Sequence, residues 1–346
     1  MKNFSILRKY PLWMLGLFLL CSCDLVQEYL QPPSDMETVP IRVTMIYPDD
    51  CIGDSGYCDT LHFGVKRAEA ELGIHLTEVP GKESDPVLTE TLFRQAAQNS
   101  DLIITAGFQM GEPLSRVAVD FPDVKFAIVD VGLDLPNVAG LNYKANEGSF
   151  LVGAIAGLKS ETSKIGYIGG VDVPLLREFE AGYIAGVHAV NPEAVVSIAY
   201  ISEDLGGFSQ PDKAKEIALT QYEGGVDVIY TAAGGSGLGV LHAAQEQDKY
   251  IIWVDSNGNH LAPGTVLTSM VKQIENSVYG VINETIDGAF MGGIRYLGLA
   301  DGGVDYALDE HNRSELSDEI IATVESLRAK IIAGEIVVPN AVSLPR

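Results

Sequence analysis

The sequence predicts an α/β protein built from two doubly wound, parallel-sheet lobes. Three observations carry this. Short apolar runs alternate with segments of helical period; such β–α pairs come in two successive series; and glycine, acids and single aromatics cluster directly after the apolar runs. Alternating β–α order points to parallel strands joined by crossover helices that cover both faces of a sheet.

The first series has strands expected at IRVTMI (41–46), IHLTEV (74–79), DLIITA (101–106), VKFAIVD (124–130) and VAGLNY (138–143). Between them, 60–72, 86–98 and 111–121 repeat apolar residues at helical spacing. The second series runs helix 147–160, strand KIGYIGG (164–170), helix 175–190, strand AVVSIAY (194–200), helix 211–224, strand DVIYTAA (227–233), helix 237–247 and strand YIIWVDS (250–256). Strand TVLTSMV (265–271), helix 273–288 and a last helix over 316–333 follow.

Composition narrows the function class. The 346 residues are 47% hydrophobic and 20% charged, which suits a chain with a sizeable core rather than a disordered one. Net charge is −24 and no run of Lys or Arg exceeds two, so no nucleic-acid partner is expected, because neutralising phosphates takes clustered positive charge.

The N-terminus reads as an export signal over residues 1–22. Lys2, Arg8 and Lys9 precede the apolar WMLGLFLL (13–20), a segment too short to span a bilayer. It ends in LCSC (20–23), which resembles a bacterial lipobox. The resemblance implies that Cys23 is lipidated and becomes the mature N-terminus; cleavage nearby by an ordinary signal peptidase is the alternative. Residues 23–40 then form the lipidated end and a polar, Pro-containing tether, and the expected location is extracytoplasmic, at the membrane. In an exported chain Cys51 and Cys58 pair more readily as a disulfide than as a metal site, with free buried thiols as the alternative.

In doubly wound sheets the ligand lies beyond the C-terminal ends of the strands. Those ends are DDCIGDSGYCD (49–59), AGFQM (106–110, with Gly107 and Phe108), VDVGLD (129–134), GGVDVP (169–174), SEDLGGFS (202–209), AAGGSGLG (232–239) and VDSNGN (254–259), with Lys272 just past a strand. Their residues suit a small polar ligand with hydroxyls and a flat ring. The run GGSGLG (234–239) lacks the spacing of a dinucleotide fingerprint and reads as a tight turn opening a helix. No nucleophile elbow is present and the six histidines are scattered, so neither catalysis nor a metal or other cofactor is expected.

Several segments together, FPDVKFAIVD, NVAGLNYKANEGSFLVGAIAGL, KIGYIGGVDVPLLREFEAGYIAGVHAVNP, AAGGSGLGVLHAA, VDSNG and VLTSMVKQIENSVYGVI, resemble the basic membrane lipoprotein (Bmp/Med) family of ABC-transporter substrate-binding proteins, which includes purine nucleoside receptors. The resemblance implies the type I periplasmic-binding-protein fold, with hinge crossings near 143–147, 260–265 and 290–298. Lobe 1 would then be 41–145 plus 265–292, and lobe 2 would be 146–264 plus 293–346.

It also implies a nucleoside held between aromatic residues, here Tyr57 and Phe208. Cys58 stands where the family usually has an asparagine that touches the base, with Asp54 and Asp59 as nearby substitutes. Asp255 would accept from ribose hydroxyls, Lys272 would donate to the sugar, and Gly234 and Gly235 would bring backbone N–H groups close. The implied function is solute binding for an ABC permease without covalent chemistry; another small ligand such as a sugar, or a sensory role, is the alternative.

Overall fold

The computed structural model describes residues 40–49 and 51–340. The expected signal peptide, Cys23 and the tether up to residue 39 lie outside them. No described helix is long and apolar enough to cross a membrane.

Two six-stranded sheets form, each covered by helices. The first holds β1 (Arg42–Tyr47), β2 (His75–Pro80), β3 (Leu102–Ala106), β4 (Lys125–Val129), β5 (Val138–Tyr143) and β11 (Gly293–Leu297), in the order β11-β5-β4-β3-β1-β2, all parallel. Its helices are α1 (Tyr57–Leu72), α2 (Pro86–Ala97), α3 (Gly111–Asp120) and α8 (Ile274–Ile286). The second sheet holds β6 (Lys164–Val171), β7 (Val195–Ser202), β8 (Val228–Ala232), β9 (Tyr250–Asp255), β10 (Val266–Lys272) and β12 (Val304–Tyr306), in the order β12-β10-β9-β8-β6-β7. Only β12 runs antiparallel there. Its helices are α4 (Ala145–Lys159), α5 (Pro174–Val190), α6 (Pro211–Glu223), α7 (Gly237–Gln247) and α9 (Asp318–Ile332).

The local chemistry explains these elements. Central strands LIITA, VIYTA and most of KFAIV are buried along their length, as strands covered on both faces must be. Asp85 caps α2, accepting from the Leu88 amide at 3.0 Å, with Pro86 at the first helical position. Helices α4 and α5 touch backbone to backbone. A Cβ at Gly153 would fall 2.2 Å from the Tyr183 carbonyl oxygen, so no larger residue fits there.

Both lobes wind in the same order, 2-1-3-4-5, and so share the topological switch between their first and third strands. This is the two-lobed solute-binding fold the sequence implies. The lobe boundaries need correction, however. Strand β10 hydrogen-bonds β9, so 266–272 belongs to the second lobe, and the second crossing falls at 272–274 rather than 260–265. Helix α8 then packs on α1 in the first lobe, where Arg67 reaches Glu275 at 3.3 Å. Strand β11 pairs with β5, so the chain returns to the second lobe only between β11 and β12. The apolar pattern of VLTSMVK marks a buried strand but is silent on which sheet receives it.

Candidate functional site

A cavity of about 660 Å³ lies between the two rows of strand ends. Its walls contain Asp54, Tyr57, Cys58, Gly107, Phe108, Phe208, Gly234, Gly235, Asp255 and Lys272, all but one of the residues expected there. The exception is Asp59. Its carboxylate accepts from the amides of Gly53 at 2.7 Å and Ser55 at 2.9 Å, which shapes the loop instead of meeting a ligand.

That loop links β1 to α1. A disulfide joins Cys51 and Cys58, whose Cα atoms are 5.8 Å apart. Asp54 accepts from the amides of Gly56 at 2.8 Å and Cys58 at 3.0 Å, satisfying N–H groups that a helix start leaves open. Burial raises the Asp54 pKa, partly offset by those amides. Ser55 at the tip adopts φ 55°, and its carbonyl crosses to the second lobe, accepting from Trp253 Nε1 at 3.1 Å and Ser256 Oγ at 2.6 Å.

Lys272, the last residue of β10, forms the floor. Its Nζ lies 2.8 Å from Asp130 of the first lobe and 3.4 Å from Asp255 of the second. The rings of Phe179, Tyr57 and Tyr143 surround it at 4.8, 5.4 and 5.8 Å from their centroids. Burial alone would lower the ammonium's pKa, but the two carboxylates outweigh it and hold it above its ordinary value. Asp255 is pushed up to about 6 by burial, against the pull of Lys272.

Asp130 and Asp255 close equivalent strands, β4 and β9, and both take left-handed φ near 65° (64° and 65°). A non-glycine residue in that region costs of order 1–2 kcal/mol, a strain typical of binding sites. The turn it makes aims both carboxyls into the cleft. Asp130 Oδ1 and Tyr57 Oη are buried without a hydrogen-bond partner of ordinary geometry. Burial, then the charge of Asp130 and Asp255, raises the Tyr57 pKa. The floor thus presents one ammonium, two carboxyls and a phenol, a set that matches vicinal hydroxyls.

Phe208 lies on the second lobe's wall. Its ring covers Gly170, where a Cβ would come within 2.5 Å of it, and Gly234, at φ 52°, passes beside it. The wall is therefore flat and apolar above a polar floor.

Sequence reasoning placed Asp130 in the strand end VDVGLD (129–134) without singling it out, and passed over Phe179 and Glu83. The first had a signal: AIVDVG (127–132) repeats the VD strand end of IWVDSN (252–257), one lobe earlier. Phe179, in α5, and Glu83, in the polar turn GKESD, had none.

Two lobes of this winding around such a cleft define a protein built to bind a small solute between them. The chain belongs to the Bmp family, described as ABC transporter substrate-binding protein PnrA-like, whose match spans residues 41–341. It is 37% identical over 263 residues to a CD4+ T-cell-stimulating antigen of Listeria innocua, covering 69% of this chain and 70% of that one. It is 32% identical over 308 residues to basic membrane protein A of Borreliella burgdorferi, covering 86% and 88%. Among solved structures, an ABC transporter solute-binding protein of Aeropyrum pernix superposes with a TM-score of 0.78 at 27% identity, over 87% of this chain and 94% of the other.

Proposed function

We propose that this chain is an exported lipoprotein, anchored through Cys23, that captures a purine nucleoside between its lobes and passes it to an ABC permease. The observation that carries the reading is Lys272, buried between Asp130 and Asp255 in a cleft walled by Phe208. Ribose hydroxyls donate to the carboxyls and accept from the ammonium, while the base lies between Phe208 and Tyr57. Because Asp130 and Asp255 belong to different lobes, a ligand that engages both favours closure, the step by which such proteins commit to their solute.

The charge balance supports an uncharged ligand. Among the described residues, those lining the cleft that carry charge are Asp49, Asp54, Glu83, Asp130 and Asp255 against Lys272, so a phosphorylated nucleoside would meet net repulsion. Native mass spectrometry of the mature domain purified without added ligand tests the reading. A bound mass matching a nucleoside is expected; a bound free sugar in its place would contradict it.

A further inference from the structure

We propose that Glu83 reads the outer edge of the base and selects purines that present two adjacent N–H donors, a ring N–H beside an exocyclic amine, as guanine does. This deepens the nucleoside reading above and rests on it.

The placement follows from the two rows of strand ends. In the first lobe the row runs Asp130 (β4), Gly107 (β3), the Cys51–Cys58 loop (β1) and the β2 turn that carries Glu83. In the second it runs Lys272 (β10), Asp255 (β9), Gly234 (β8) and then the β6 and β7 ends with Phe208. Contacts between the rows fix their direction: Lys272 meets Asp130 at one end, while Ser55 meets Trp253 and Asp54 lies beside Gly235 farther along. Glu83 enters from the β2 end of its row, the end that Phe208 marks in the other, and its carboxyl reaches in beside Gly107 of β3. A nucleoside with its sugar on Lys272 and its base on Phe208 turns the far edge of that base toward Glu83.

The side chain is posed for this. Glu83 is half-buried on the cavity wall, and one carboxylate oxygen lies 3.8 Å from where a Cβ on Gly107 would stand. Gly107 has φ 96°, so the backbone turns there in a way that leaves this approach open. Among the described residues no hydrogen bond or cation engages the Glu83 carboxyl. Lys272, the one cation among the described lining residues, is already held by Asp130 and Asp255. An ionised carboxylate only accepts, and its two oxygens match two parallel N–H donors. Burial, then the charge of Asp49, pushes the Glu83 pKa up to about 7, so the carboxyl is partly protonated near neutrality. A guanine edge stabilises the ionised form and expels that proton. Adenine, with a ring acceptor beside its amine, instead favours the protonated form.

Calorimetry with guanosine and adenosine, in buffers of different ionisation enthalpy between pH 6 and 8, tests this on the ligand-stripped mature domain. Guanosine should bind more tightly than adenosine above pH 7 and release a proton on binding. Glu83→Gln should abolish the proton release and weaken guanosine roughly ten- to hundredfold. Equal affinities without proton release, or a Glu83→Gln variant that keeps the preference, overturn the role of Glu83 while leaving the nucleoside site standing. Failure of both nucleosides to bind removes the underlying reading as well.

Discussion

The backbone carbonyl of Ser55 accepts a hydrogen bond from the indole Nε1 of Trp253 at 3.1 Å, tying a disulfide-closed loop of one lobe to strand β9 of the other. Ser256 Oγ donates to the same oxygen at 2.6 Å. Neither Trp253 nor Ser256 lines the cleft, so these bonds act on closure rather than on the ligand.

The first prediction concerns that closure. Ser256→Ala removes one of the two bonds, a loss of about 0.5–1.5 kcal/mol of closed-state stability. Ligand affinity should fall about two- to tenfold, and small-angle scattering of the ligand-free variant should show a more open average. Unchanged affinity and scattering would mean that the contact contributes nothing to closure.

A second prediction concerns the loop itself. Cross-linking Cys51 to Cys58 stabilises the fold by roughly 2–3 kcal/mol in the chain-entropy picture, since it closes a short loop. Cys51→Ser with Cys58→Ser should lower the urea midpoint accordingly. Intact mass of the alkylated, unreduced mature domain checks the bridge directly, because two labels would show two free thiols.

The third prediction is about Lys272. Removing one partner of a buried charged group leaves the others uncompensated, at a cost of about 3–5 kcal/mol. Lys272→Met strands Asp130 and Asp255 together, so it should destabilise the ligand-free protein on that scale at neutral pH. The loss should shrink in acid, as the Asp255 carboxyl, whose pKa burial already raises to about 6, takes up its proton.

The fourth follows from the pKa of Asp255, which folding raises from an ordinary 3.8 to about 6. The folded state holds this proton more tightly than the unfolded chain. Its penalty is therefore absent below about pH 4, grows as pH rises, and is complete above about 6. Asp255→Asn does not titrate. Its stability relative to wild type should rise between pH 4 and 6, read from urea midpoints, and a flat difference would contradict the shift.

Much of this architecture is legible in the sequence because buried strands and amphipathic helices leave periodic marks. The β-strand at VAGLNY and the helix over 237–247 lie where periodicity puts them. What escaped has physical reasons. Strand β12 has three residues and β11 alternates exposed with half-buried positions, so neither forms an apolar run. The sheet that receives β10 is decided by pairing, which side-chain period does not encode. Within the site, Lys272 and Asp255 were marked by their place after apolar strands. The Ser55 contact was invisible because a backbone carbonyl has no side-chain signature. Glu83 looked like one more acid in a polar turn.

The proposed binding mode holds a nucleoside by its base and its sugar together. Titration calorimetry of the ligand-stripped mature domain with a purine nucleoside, with free ribose, and with the Phe208→Ala variant tests it most directly. Base–aromatic stacking contributes about 1–3 kcal/mol per base, so Phe208→Ala should weaken nucleoside binding by roughly ten- to hundredfold. Wild type should bind the nucleoside at one site and free ribose far more weakly. Ribose binding as tight as the nucleoside, or a Phe208→Ala variant that binds the nucleoside as wild type does, would rule this binding mode out.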